Sequence, residues 1–140
     1  MSVLVVTENA TNLRGHLVPT GLFIGGKWLA SAKTIPVTNP SDGNVIAEIS
    51  DGDPRDAILA LDAAVLAAED WRHWAPRRRA DLFHKAHALL MERAQSFAEV
   101  MVLESGKPLA EAQGEFSLSS GYFLWYAEQI AHLHGTYQEG

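Results

Sequence analysis

The spacing of apolar residues changes near residue 53. From Leu22 to Ser50 they come in short runs broken by Gly, Pro, Asn and Asp; beyond Asp53 they recur every three or four residues. The first pattern is that of strands and turns, the second that of amphipathic helices. "LFIGGKWL" sets Gly25-Gly26 between two apolar runs, a pair that a tight hairpin turn with positive φ accepts. In "TIPVTNPSDGNVIAEI", Pro36 and Pro40 confine the first part to an edge or a loop, "SDG" marks a turn, and Asn44 to Ile49 reads as a second extended segment. The opening "MSVLVVTENATNL" joins a short apolar run to a polar Thr/Asn stretch, so residues 1–20 are expected to form a flexible tail.

Asp53-Pro54 has the chemistry of a helix start, because Asp accepts an orphan N–H and proline at the first helical position sacrifices no hydrogen bond. Ile58, Leu61, Val65 and Ala68 then form one apolar stripe. After "WRHWAP" a longer helix is predicted from near Arg77, with Phe83, Ala86, Leu90, Ala94, Phe97 and Met101 in step and Leu82, Leu89 and Val100 beside them. A stripe so wide implies burial from more than one side. "ESGKPLAEA" stops it: Gly106 suits a left-handed helix end, Pro108 can start the next helix, and Lys107 is expected beside the exposed carbonyls of the finished one. The third helix carries Leu118, Tyr122, Tyr126, Ile130 and Leu133 on a stripe, with Gly135 as its stop. Gly114 and Gly121 inside it predict close packing or a break.

Composition narrows the functional classes. A formal net charge of −6 argues against non-specific nucleic-acid binding, which selects basic surfaces. No apolar run is long enough to span a bilayer. The absence of cysteine removes disulfides, thiolate metal sites and a cysteine nucleophile from this chain, and leaves the cytoplasm as the expected compartment.

Candidate chemistry from the residues alone is thin. Gly106-Lys107 is not a phosphate loop, since a helix precedes it and Pro108 stands where Ser or Thr would reach the metal. Of six histidines, His84 with His87 and His132 with His134 are close in sequence, but nothing fixes a third ligand for zinc. Arg77 to Arg79 read as a salt-bridge site. Glu111 and Glu115 read as a solvated face, and the aromatic group Tyr122, Phe123, Trp125 and Tyr126 reads as core.

"LESGKPLAEAQGE" and "LWYAEQIAHLHG" closely resemble segments of the NAD(P)-dependent aldehyde dehydrogenase superfamily, and "LFIGGKW" and "VTNPSDGNVIAEISDGDPRDAILALDAAVLA" resemble its opening hairpin, first strand pair and helix. The order agrees from Gly21 to Gly140, and the wording is nearest to the succinate-semialdehyde dehydrogenase branch. This resemblance implies an α/β fold: residues 21–140 would be the N-terminal portion of the cofactor-binding domain, a β-hairpin and edge strands followed by three helices. That is an incomplete Rossmann-like domain ending where an oligomerisation hairpin begins. It further implies a parent that oxidises an aldehyde to a carboxylic acid with NAD or NADP, works as a homo-oligomer (dimer or tetramer), and supplies the rest of the chain as this segment's partner.

The family's chemistry is carried by later motifs, so no catalytic or cofactor-binding residue transfers here, and a chain without cysteine is expected to be inactive alone. Four positions do transfer. The Thr38 carbonyl and the Glu104 side chain match ligands of a monovalent cation, and Leu118 and Tyr122 match a region lining the substrate tunnel. The competing readings are a non-enzymatic helical interaction module, docking through the Phe83–Met101 stripe, and a degenerate remnant.

Overall fold

Gly25 and Gly26 hold positive φ, 58° and 79°, as a two-residue hairpin turn requires. The computed structural model describes residues 9–132 together with 134, 135 and 138; Met1–Glu8 and Leu133 lie outside the described residues. The strands are β1 (Ala10–Leu13), β2 (His16–Pro19), β3 (Leu22–Ile24), β4 (Lys27–Leu29), β5 (Thr34–Thr38) and β6 (Val45–Ser50). They pair as three antiparallel hairpins, β1-β2, β3-β4 and β5-β6.

The first hairpin corrects the expected tail between Ala10 and Pro19, which pair with each other across it. Its turn is made by Arg14 and Gly15, at φ 50° and 95°, and the Gly15 N–H donates to Asn12 Oδ1 at 2.8 Å. A single buried residue, Leu13, anchors β1, so the apolar signal was too sparse to separate a strand from a tail.

Helix α1 (Pro54–His73) begins as its sequence requires. Asp53 Oδ1 accepts the N–H of Arg55 at 2.7 Å and that of Asp56 at 3.3 Å, and Asp56 Oδ2 accepts the Asp53 N–H at 2.8 Å. This reciprocal cap satisfies donors that the first turn otherwise leaves open. The expected long second helix is two helices, α2 (Pro76–Glu92) and α3 (Ala94–Ser105), so the described residues form four helices where three were expected. Arg93 leaves helical geometry at φ −109°, ψ 10°, and its N–H turns back to the Leu90 and Met91 carbonyls. The stripe passes through this residue unbroken, which is why periodicity does not reveal the bend.

Helix α4 (Leu109–Ile130) packs on both α2 and α3. It does so through Ala112, Phe116, Ser120 and Ala127, all buried, with Phe123 packed on Phe83 at a ring separation of 5.9 Å. The stripe named from sequence is the opposite one: Leu118, Tyr122 and Tyr126 are exposed. Small residues let two helix backbones approach, and large ones at the same positions would hold them apart. Gly114 and Gly121 neither break α4 nor pack closely, since nothing lies within 4 Å of a Cβ placed on either.

Large apolar surfaces are left uncovered. Helix α1 has no buried residue, and Ile58, Leu61, Val65 and Leu66 are exposed along it. Leu82 and Leu89 are exposed on α2, so that stripe is covered from one side only. The chain exposes 10623 Å², whereas a compact monomer of its mass exposes roughly 7100 Å². Uncovered apolar area on this scale marks an interaction surface or an aggregation-prone one. The isolated chain is therefore expected to self-associate and to bind a hydrophobic dye. Sedimentation as a monodisperse monomer, with a sharp thermal transition and no dye binding, would contradict this.

Candidate functional site

Two chain reversals meet at the candidate cation position. In the first, which follows β5, buried Asn39 organises the turn. Its Oδ1 accepts the Ser41 N–H at 3.0 Å and the Ser41 hydroxyl at 2.8 Å, while its carbonyl accepts the Gly43 N–H at 2.8 Å. In the second, α3 ends on Gly106 at φ 72°, whose N–H returns to the Val102 carbonyl at 2.9 Å. A Cβ on Gly106 would stand 2.8 Å from Pro40 Cγ, so this glycine is required both by its backbone conformation and by the approach of the proline ring.

Thr38 and Glu104 each precede this contact by two residues, and both are exposed. The fold thus brings together the two neighbourhoods that the sequence nominated. Among the described residues no three His, Asp or Glu side chains gather to hold a metal ion, so His84, His87 and His132 form no such centre. His87 Nδ1 instead lies 3.0 Å from the Ser120 carbonyl and ties α2 to α4.

Among the described residues Lys107 makes its hydrogen bond to a carboxylate and none to the carbonyls of α3. It reaches forward to Glu115 on the second turn of α4, so Glu115 is paired rather than merely solvated. The corner's cation joins α4 to its own lead-in because a carboxylate offers a full charge where helix carbonyls offer a fraction of one. The arginine run divides its work. Arg77 approaches Asp81 at 3.9 Å, Arg78 lies 3.6 Å over the Trp74 ring, and Arg79 Nε is buried with no partner among the described residues.

Leu118 and Tyr122 do lie together. With Ser117, Gly121, Trp125 and Tyr126 they line a groove of about 480 Å³ on the outer face of α4. The aromatic group is therefore largely surface, not core: Trp125 meets Tyr126 edge-on at 4.9 Å, and both are exposed. The lining is apolar with a few hydroxyls. It can cover or guide an organic molecule, but it holds no carboxylate, imidazole or amine to move a proton at neutral pH.

A dinucleotide is not accommodated by these residues alone. The strand pairs are antiparallel, whereas a pyrophosphate site is built on a parallel strand–turn–helix unit. The first-turn donors of α1, at Arg55 and Asp56, are already bonded to the Asp53 carboxylate, which would repel phosphate. That carboxylate is held at a pKa of about 2, first by the Arg55 side chain and then by the Arg55 N–H.

The surroundings of this geometry are those of a known enzyme fold. The structure superposes on the aldehyde dehydrogenase from Brucella melitensis biovar abortus 2308 with a TM-score of 0.84 and 32% identity, over 86% of this chain and 26% of that one. The sequence pattern described as the aldehyde dehydrogenase family matches residues 28–139. The chain belongs to the aldehyde dehydrogenase family, and its fold is the N-terminal α/β part of that architecture. It is 34% identical over 123 residues to the mitochondrial succinate-semialdehyde dehydrogenase of Homo sapiens, which covers 88% of this chain and 23% of that protein. It is 35% identical over 115 residues to the NADP(+) succinate-semialdehyde dehydrogenase of Escherichia coli (strain K12), covering 81% and 24%. The chain therefore spans about a quarter of the length of the curated relatives it matches.

The two faces of α4 are expected to respond differently to truncation. Phe116→Ala removes a buried ring stacked at 4.9 Å on Phe97 and should cost about 3–5 kcal/mol, whereas Leu118→Ala and Tyr122→Ala should stay within about 0.5 kcal/mol. Urea unfolding followed by tryptophan fluorescence measures both, and equal losses on the two faces would overturn the assignment. By the same assay Gly106→Ala should lose at least about 1–2 kcal/mol, because it forces an alanine into the left-handed region beside Pro40.

Proposed function

We propose that this chain is the N-terminal part of an NAD(P)-dependent enzyme that oxidises an aldehyde to its carboxylic acid, with succinate semialdehyde as the substrate. The observation that carries this reading is the match to succinate-semialdehyde dehydrogenases of two organisms across more than four-fifths of the chain. Oxidation of an aldehyde in this class sends a hydride to the nicotinamide, which the cofactor supplies when bound.

The part played by these residues is structural and positional. Helix α1 and the outer face of α4 present the apolar surface on which the remainder of such an enzyme would pack, and the groove at Leu118 and Tyr122 would form one wall of the route to the reacting carbon. The Thr38 carbonyl and the Glu104 carboxylate would supply two oxygens to a monovalent cation, a hard ion that prefers such ligands. With no cysteine in its sequence, the chain has no thiol to serve as nucleophile and is expected to be inactive by itself. We further infer a homo-oligomeric parent and a cytoplasmic location. Among the described residues no helix is long and apolar enough to cross a membrane.

Joining this segment to the complementary three-quarters of the Escherichia coli relative tests the reading. The isolated chain should reduce no NAD or NADP with any aldehyde. The joined protein should reduce one of them with succinate semialdehyde, with a higher kcat/KM than for shorter or uncharged aldehydes. A joined protein that folds and assembles but turns over none of them would refute the proposal. Glu104→Gln in the active hybrid should abolish any stabilisation by sodium or potassium, read as a shift in Tm.

A further inference from the structure

The β1-β2 hairpin is fastened to the helices by one side-chain hydrogen bond among the described residues. His16 Nε2 lies 2.6 Å from Glu99 Oε2 although the two are 83 residues apart in sequence. Because a carboxylate only accepts, the imidazole N–H is the donor. The contact does not stop at Glu99. Its other oxygen accepts from Gln95 Nε2 at 2.6 Å, and Gln95 Oε1 accepts from Gln113 Nε2 at 3.0 Å. One chain of polar side chains thus runs from β2 through α3 to α4.

The charged groups around it are few. Arg14, in the hairpin turn, acts on Glu99 and favours its ionised form. Arg93, at the start of α3, shares with His16 a groove of about 640 Å³ that also contains Trp28, Phe97 and Val100. Strand β4 contributes Trp28 and α4 contributes Gln113, neither of which changes charge. The His16 and Glu99 side chains are 22% and 40% exposed, so protons reach both.

We propose that the His16–Glu99–Gln95–Gln113 chain is a proton-operated latch: the N-terminal hairpin is fastened to α3 while Glu99 is ionised and loosens when its carboxylate takes up a proton. Hydrogen bonds between charged partners are about twice as strong as neutral ones. On the acid side the direction follows from Glu99, whose pKa is lowered by the Gln95 hydrogen bond first, then by His16, with Arg14 adding to it. A carboxylate lowered on folding stabilises the closed form above its ordinary range, and that stabilisation is lost as pH falls through the lowered value. Protection of the hairpin should therefore fall as the solution becomes acid enough to protonate Glu99.

Hydrogen exchange of the chain, followed by mass spectrometry and corrected for intrinsic rates, tests this on the peptide spanning Ala10–Pro19 with an α4 peptide as internal reference. The wild type should show several-fold faster hairpin exchange in solution acid enough to protonate Glu99 than at neutral pH, with the reference changing less. Glu99→Gln should remove the acid limb. His16→Lys, which keeps a cation beside Glu99, should retain the acid limb. A pH-independent wild-type profile, or an acid limb that survives in Glu99→Gln, would overturn the latch. If Glu99→Gln does not fold, the wild type and His16→Lys decide the matter together.

Discussion

Close approach of α4 to α2 and α3 is the constraint on which the described fold rests. It depends on small residues: Ala80 on α2, Ala98 on α3, and Ala112, Ser120 and Ala127 on α4 are all buried. A helix pair gains dispersion contacts only when the backbones come near, and a large side chain at the crossing prevents this. Rings fill the gaps beside the crossing, Phe97 on Phe116 and Phe83 on Phe123. The arrangement leaves α4 with bulky side chains on the side away from its neighbours, so a single helix carries both a packing face and an apolar outer face. In that geometry the same segment can belong to an interior and still offer a surface.

A second constraint, between Pro40 and Gly106, locks a β-turn against a helix corner. It explains why "NPSDG" and "SGKP" stand in the same chain. Each reversal is stable by its own local hydrogen bonds, but only the absence of a Cβ at Gly106 lets the proline ring reach it. Thr38 and Glu104 each stand two residues before this contact in the sequence.

The uncovered faces of α1 and α4 give the family assignment a physical counterpart. The relatives are about four times longer than this chain, and α1 buries nothing of its own while the chain exposes more surface than a compact monomer of its mass would. The Leu118–Tyr122 groove is lined without a carboxylate, imidazole or amine that could act as a base at neutral pH.

Much was legible in the sequence because it is decided locally. The Gly25-Gly26 turn, the Asp53-Pro54 helix start and the left-handed Gly106 depend on a few adjacent residues, and each was readable from residue chemistry. The bend at Arg93, the hairpin of Ala10–Pro19 and the choice of packing face on α4 were not. In α4 both faces are apolar, so periodicity offered two answers, and bulk pointed to the wrong one. Lys107 likewise pairs with Glu115, a partner eight residues away that the corner motif did not reveal. Sequence alone determined the turns at Gly25-Gly26 and Gly106 and the helical character of the chain beyond Asp53, because those preferences act over a single turn. Only the tertiary structure decided which faces meet, which carboxylates are paired and which apolar groups remain in water, because those outcomes depend on residues far apart in the chain arriving at the same place.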